Sequence, residues 1–191
     1  MARHTYNQPT IAKESQTSVT IQHKDGIGAS TMTTAPLTFR RYEDGDREAV
    51  WTVFAATTAQ LGFTNGPWDE DMRSIPHTYL ASGGEFIVGE LGGGIVAHAA
   101  FLPQSERRAI VRRVAVHPAF QRRGIGQALM AALEGKARQR GIAVLQLDTS
   151  QSQVAAQALY RRRGYRDLGH VVLGGVECIV YEKHLSPDRR P

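Results

Sequence analysis

The chemistry-bearing part of this chain is Gln121-Arg122-Arg123-Gly124-Ile125-Gly126-Gln127, a basic, glycine-rich run between two apolar stretches. Val114, Ala115 and Val116 lead into it, and His117-Pro118 closes that lead, because proline has no N–H to give a sheet. Beyond it Ile125, Ala128, Leu129, Ala132, Leu133 and Ala137 recur at helical spacing. The unit is strand, turn, helix. A helix start offers unpaired N–H groups and a partial positive charge, which suits a phosphate. Gly124 and Gly126 tolerate positive φ and close approach of a ligand to the backbone, and Arg122 and Arg123 add two forked cations. The plainer alternative for the arginines is solvated charge on a turn. No Ser/His/Asp or Cys/His set is arranged for a covalent intermediate.

The run is not a Walker loop, since no Gly-Lys-Ser/Thr follows, and it lacks the three glycines of the dinucleotide fingerprint. Its spacing, Gln/Arg-x-x-Gly-x-Gly after Val-x-Val-x-Pro, resembles the acetyl-CoA pyrophosphate loop of the GNAT superfamily of N-acetyltransferases. A second signature strengthens the likeness. Ala155-Ala156-Gln157-Ala158-Leu159-Tyr160-Arg161-Arg162-Arg163-Gly164-Tyr165 is similar to that family's helix ending in Leu-Tyr, three residues, then Gly-aromatic. The resemblance runs over roughly residues 36–184 and is most specific over 109–166.

The resemblance implies an α/β (mixed α+β) fold. Its central sheet is mixed, mostly antiparallel, of six to seven strands, splayed at the cofactor site and flanked by four helices. It implies acetyl-CoA as co-substrate, with no metal, and direct transfer of the acetyl group to a primary amine in a ternary complex. The amine would belong to a small molecule, or to a protein lysine or N-terminus. Backbone groups of Val114, Ala115 and Val116 would pair with the pantetheine arm. Gln121 opens the loop, and Arg122, Arg123, Gly124, Ile125, Gly126 and Gln127 would cradle the pyrophosphate. Gln153 stands where the family often has an asparagine bonded to the cofactor arm. Tyr160 would give a proton to the departing thiolate, as a phenol within hydrogen-bond reach can; its alternative role is packing beneath the cofactor. The base that must deprotonate the amine is left open among Glu90, His98, Asp148 and water. His98 is equally a core histidine. Ala109 and Ile110 occupy the region where many relatives carry a glutamate. A non-catalytic acyl-CoA-binding sensor of the same fold is the alternative reading.

Composition narrows the class. The 191 residues suit one domain, and 41% hydrophobic with 21% charged residues fit a globular chain. The single cysteine, Cys178, excludes an internal disulfide and offers no metal cluster. No apolar run approaches the roughly 20 residues of a membrane span, and the N-terminus lacks a signal-peptide core. A cytoplasmic protein is expected. Residues 105–166 hold 13 Lys/Arg against 3 Asp/Glu, while residues 43–90 hold 9 Asp/Glu against 2 Arg. The basic part coincides with the loop proposed for polyanionic coenzyme A, and the acidic part would meet an amine. Nucleic-acid binding is disfavoured, because the arginines gather at one loop and one helix end without interleaved aromatics.

The elements that position these residues follow from periodicity and breakers. Residues 1–35 read as a polar, flexible tail with a short strand at Ser18–Gln22, and Met32 is a candidate true start. The domain spans 36–185, and 186–191 read as frayed. Strands are expected at Leu37–Arg41, Glu85–Leu91, Ile95–Leu102, Ala109–Val116, Ile142–Leu147, about 165–171 and Glu177–Leu185. Helices are expected at about 46–60 (capped by Asp44 or Asp46), Glu70–Ala81 with a break near Pro76, from Gly124 to Arg140, and from a Ser150 or Ser152 cap to Arg163. Val50, Val53, Phe54, Thr57 and Leu61 share one face of the first. Phe63, Trp68, Asp69, Glu70, Asp71 and Tyr79 are candidate acceptor contacts or, alternatively, core aromatics beside an acidic helix start. The last hairpin, around 165–185, is a candidate homodimer interface.

Overall fold

The computed structural model describes residues 17–21, 33–62, 66 and 69–186. Its strands are β1 (Thr17–Ile21), β2 (Thr33–Arg41), β3 (Glu85–Leu91), β4 (Gly94–Ser105), β5 (Arg108–Val116), β6 (Val144–Ser150), β7 (Arg166–Leu173) and β8 (Val176–His184). Its α-helices are α1 (Arg47–Gln60), α2 (Glu70–Arg73), α3 (Ile125–Gln139) and α4 (Val154–Arg162). One eight-stranded sheet runs in the order β1-β2-β3-β4-β5-β6-β8-β7. All its neighbours are antiparallel except β5 and β6.

The expected mixed, mostly antiparallel sheet with flanking helices is what forms. The strand beyond the expected six to seven is β1, which pairs with the first half of β2 from Thr17↔Leu37 to Ile21↔Thr33. Pairing with β1 therefore extends β2 before the expected start at Leu37. The remainder of the expected tail, 1–16 and 22–32, lies outside the described residues, as do 187–191. The second helix is divided. It stops at Arg73, and Pro76 opens a five-residue π-helical turn, Pro76–Leu80, because proline cannot donate to the preceding turn. Neither serine caps α4: its N-cap is Gln153, and the Ser150 and Ser152 hydroxyls bond each other at 2.8 Å. Asp46 stands at the N-cap of α1 without a capping bond, since its carboxylate takes Arg40 and the Glu43 N–H.

Both sheet faces are covered, so the central strands are apolar throughout rather than alternating. On β3, Ile87 joins a cluster with Phe101, Leu145, Tyr181, Leu129 and Leu133 of α3 and Tyr160 of α4. Phe86 and Val88, on the opposite face, join Val50 and Phe54 of α1, Met72 and Tyr79. The β3–β4 hairpin turns on Gly92 and Gly93, both at positive φ (61° and 82°), as a tight two-residue connection requires. One charged residue enters the apolar face of α3. Glu134 is fully buried and pairs with Lys183 at 2.7 Å and Arg163 at 2.5 Å.

Two irregularities in β5 shape everything that follows. Its parallel pairing with β6 covers only Arg108–Ile110 against Val144–Gln146, and the two strands then separate. On its other edge the register with β4 shifts between His98 and Ala100, so Arg113 and Val114 stand opposite Ala99 alone. This is a β-bulge, with Arg113 at φ 54°.

Candidate functional site

The gap opened by the separation of β5 from β6 is a cleft of about 640 Å³. Val114, Ala115 and Val116 form one wall, the loop and first turn of α3 close one end, and α4 supplies the other wall with Gln153, Leu159 and Tyr160. Thr57, Gln60 and Leu61 of α1 form a rim. The face of α1 predicted as apolar is thus divided. Val50, Val53 and Phe54 are core, whereas Leu61 is 43% exposed and turned to the cleft.

Strand geometry decides which β5 groups are available. His117 N–H donates to Val96 carbonyl at 2.9 Å, and the register pairs Ala97 with Val116 and His98 with Ala115. Directly opposed antiparallel residues alternate between bonded and non-bonded pairs. Ala115 therefore spends its N–H and C=O on β4, and Val114 and Val116 present theirs to the cleft. The Val116 carbonyl is engaged by Gln121 Nε2 at 3.0 Å.

The loop is held by its own side chains. Gln121 also bonds Gln60 (2.8 Å), tying the end of β5 to α1. Gly124 sits at φ 80° at the N-cap of α3, a conformation that favours glycine, and Arg122 shares it at φ 64°. Gly126 does not need positive φ; its role is closeness, with Leu159 of α4 against it. The first intrahelical bonds run from Gln127 (3.1 Å) and Ala128 (3.2 Å) to the Gly124 carbonyl. The N–H groups of Ile125 and Gly126 are thereby left over from the helix ladder at the cleft, with the positive end of the α3 dipole behind them. Arg122 lines the cleft and makes no ion pair among the described residues. Arg123 departs from the expectation: it is not a lining residue, and its guanidinium donates to the Ala119 carbonyl (3.0 Å) and lies 5.4 Å from the Phe120 ring centre.

On α4, Gln157 donates to the carbonyls of Ser150 (3.2 Å) and Gln151 (2.8 Å), fixing the turn that delivers the helix. The Thr149 hydroxyl bonds Gln153 Oε1 at 2.6 Å, which leaves the Gln153 amide nitrogen as a donor on the cleft wall. Tyr160 is buried among Tyr165 and Tyr181, at ring distances of 5.8 and 6.0 Å, yet it borders the cleft. Burial, helped by the negative charge of Asp148, pushes its pKa up, so the phenol stays protonated.

The base candidates separate cleanly from this cleft. His98 is fully buried and stacked on Phe86 at 5.5 Å. Its Nδ1 lies 2.7 Å from the Arg113 carbonyl, which can only accept, so Nδ1 carries the proton. Burial lowers its pKa to about 4 despite that bond, and the ring is neutral. Glu90 is paired with Arg40 at 2.8 Å. Asp148 lies on β6, short of the lining. No Asp, Glu or His is among the described lining residues.

Of the candidate acceptor contacts, Phe63 and Trp68 lie outside the described residues. Asp69, Asp71 and Tyr79 instead surround Arg113, a residue whose part the sequence did not disclose. Its Nε and NH2 both reach Asp71 (2.8 Å for Nε), NH1 reaches Asp69 at 3.1 Å, and the guanidinium lies 5.1 Å from the Phe54 ring centre. Tyr79 donates to the same Asp71. Burial acts to raise the Asp71 pKa, but the bonds from Arg113 and Tyr79 and the Arg113 charge outweigh it and hold the carboxyl below its ordinary range. The available signal was Arg112-Arg113, two charges interrupting an otherwise apolar strand.

The arrangement can bind an elongated anionic ligand: phosphates at the α3 start, an amide-bearing arm along β5, and a reactive end near Tyr160. Comparison with known proteins agrees in kind. Residues 50–165 match the family model described as Acetyltransferase (GNAT) family. Rat N-acetyltransferase family 8 member 3 is 32% identical over 117 residues, covering 54% of this chain and 51% of that protein. The chain spans about half the length of the first curated relatives it matches. A GNAT-family acetyltransferase from Staphylococcus aureus Mu50 superposes with a TM-score of 0.71 at 18% identity, over 78% of this chain and 99% of that one. The structure of yncA from Salmonella typhimurium with its cofactor acetyl-CoA superposes with a TM-score of 0.66 at 20% identity, over 81% and 97%.

Proposed function

The chain belongs to the acetyltransferase (GNAT) family, and on that premise we propose that it is an acetyl-CoA-dependent N-acetyltransferase acting on a primary amine. The observation that carries the reading is the separated β5–β6 pair, whose cleft is bounded by unpaired strand backbone, the α3 N-terminus and the Tyr160 side chain. These parts fit acetyl-CoA by chemistry as well as by length. The leftover N–H groups of Ile125 and Gly126 and the Arg122 cation suit pyrophosphate. The Val114 and Val116 backbone suits the amides of the pantetheine arm as a neighbouring strand would. Acetyl-CoA supplies the activated acetyl thioester.

The residues of the chain then have distinct tasks. The loop and helix start hold the charged end, the β5 backbone aligns the arm, and Gln153 adds an amide donor from α4. Tyr160, kept protonated by burial, gives its proton to the departing sulfur as the C–S bond breaks. No covalent enzyme intermediate is required, since an amine held beside the thioester attacks directly. The name of the rat relative supports an amine acceptor, carried by a small molecule or by a protein lysine or N-terminus. A homodimer through β7 and β8 and a cytoplasmic setting complete the proposal.

A second reading has one specific observation behind it. With no carboxylate or imidazole among the described lining residues, the domain is also suited to holding an acyl-CoA as a sensor without turnover. Calorimetric titration with acetyl-CoA, followed by assay of free-thiol release across a panel of amines, separates the two. Binding with release driven by one amine class supports the transferase. Binding with no release across small amines and peptide amines supports the sensor.

A further inference from the structure

Where β5 leaves β6, the sheet parts between two opposite charges. The paired register runs Arg108↔Val144, Ala109↔Leu145, Ile110↔Gln146 and then stops. Carried on in step, it would set Arg112 opposite Asp148. Successive side chains of a strand point to opposite faces of the sheet. Ala109, Val111, Leu145 and Leu147 belong to the core beneath α3 and α4, so Ile110, Arg112, Gln146 and Asp148 stand on the other face. The β4 partner of Arg112 agrees, since Ala100 packs in the cluster with α1.

In an unbroken sheet Arg112 and Asp148 would be neighbours and would attract each other. Here the split holds them apart, and neither side chain makes a hydrogen bond or ion pair among the described residues. The charges around them are already matched. Arg108 pairs with Glu182 at 2.5 Å on the same face, and Arg113 is held by Asp71 and Asp69. Within the acidic stretch 43–90, Asp46 and Glu90 are taken by Arg40, and Glu85 by Arg140. Arg112 is exposed and Asp148 partly buried, so a solute can reach both. The negative charge of Asp148 is also felt at Tyr160, which sets it near the reacting end. Because α3 and α4 close the cleft on their own face, an acceptor meets the bound thioester from the face that carries Arg112 and Asp148.

We propose that Arg112 and Asp148 bind the acceptor and that the acceptor is a free amino acid, its ammonium group held at Asp148 and its carboxylate at Arg112. The inference rests on the acetyl-CoA reading above and narrows its acceptor. A carboxylate accepts the ammonium hydrogens, and the guanidinium fork meets a carboxylate with two parallel N–H donors. The orientation follows from the reaction: nitrogen must reach the thioester, and Asp148 is the charge whose field reaches Tyr160. A polyamine would bring a second cation against Arg112. A protein lysine or N-terminus carries no free carboxylate beside its amine.

Calorimetric titration of the full chain with acetyl-CoA decides the cofactor reading by itself. Free-thiol release from acetyl-CoA is then followed with the standard amino acids, each beside its own carboxamide, and with spermidine and a lysine peptide blocked at both ends. At least one amino acid should drive release, with kcat/KM roughly tenfold or more above that of its carboxamide. Arg112→Gln should raise KM for that amino acid roughly tenfold or more, remove the preference over the carboxamide, and leave acetyl-CoA affinity nearly unchanged. Arg112→Lys keeps the charge without the fork and should retain part of the preference. Asp148→Asn should lower kcat/KM for the amino acid and its carboxamide alike. Equal rates for acid and carboxamide, release by spermidine or the blocked peptide alone, release by none of these amines, or a preference that survives Arg112→Gln would each overturn this inference while acetyl-CoA binding upholds the cofactor site. Absence of acetyl-CoA binding would remove both.

Discussion

Gly126, in the first turn of α3, lies against Leu159 of α4: a Cβ built on the glycine would stand 3.4 Å from a Leu159 methyl carbon. The two helices that bound the cleft thus meet at a glycine whose backbone φ any residue can adopt. An alanine there fits with a small adjustment. Gly126→Ala should fold with nearly unchanged stability and lose a modest factor in acetyl-CoA affinity. Gly126→Asp places a carboxylate where pyrophosphate is expected and should weaken binding by a hundredfold or more, about 3 kcal/mol. Titration of both variants checks this; undiminished affinity in the aspartate variant would displace the phosphate site from this loop.

Tyr160 offers the cleanest separation of catalysis from packing. Tyr160→Phe keeps the ring against Tyr165 and Tyr181 and removes only the hydroxyl. Turnover should drop about tenfold to a hundredfold while the acetyl-CoA dissociation constant stays within twofold. Because burial raises the phenol's pKa, the group remains a donor above pH 10, and the alkaline limb of kcat below that pH should belong to another group. An unchanged rate would reduce Tyr160 to a packing residue.

The loop glycines, the α3 stripe and Tyr160 were legible because their signals are local: breakers, helical period and short fixed spacings. Arg113 and Glu134 were not, for the same reason inverted. Nothing near position 113 in the chain states that its carbonyl will meet a histidine 15 residues earlier, or its guanidinium an aspartate 42 residues earlier. Glu134 reads as an exposed helix position, but its partners Arg163 and Lys183 arrive from 29 and 49 residues away and cover it. The short strand expected at Ser18–Gln22 forms as β1, Thr17–Ile21, but its place on the edge of β2 was not legible, because that pairing joins residues 12 to 20 positions apart.

Glu134 carries a stability prediction. It is buried with Arg163, Lys183 and, at 3.8 Å, Arg138 around it. Removing one member of a buried charge set leaves the others uncompensated, at a cost of roughly 3–5 kcal/mol. Glu134→Ala should lie in that range by urea denaturation, and Glu134→Gln should cost less. A loss under about 1 kcal/mol for the alanine variant would show that the cations relax into water.

His98 should leave a mark on acid stability. Burial pushes its pKa down to about 4, with the bond to the Arg113 carbonyl opposing, whereas the unfolded chain takes up that proton near pH ~6.5. Between these values the unfolded state binds more protons. The stability is therefore complete above about pH 6.5 and is lost as the pH falls toward 4, with a slope approaching about 1.4 kcal/mol per pH unit. His98→Asn has no titration in this window and should show a flatter curve than the wild type across it. Parallel curves would place the histidine's protonation elsewhere.

The central claim, that the cleft between β5 and β6 is an acetyl-CoA site, is tested most directly by one calorimetric titration of the wild-type chain with acetyl-CoA. The expected result is one molecule bound per chain, with affinity that falls as salt is raised, since Arg122 and the α3 dipole contribute charge attraction that ions screen. Absence of binding at millimolar acetyl-CoA would contradict the site and the chemistry built on it.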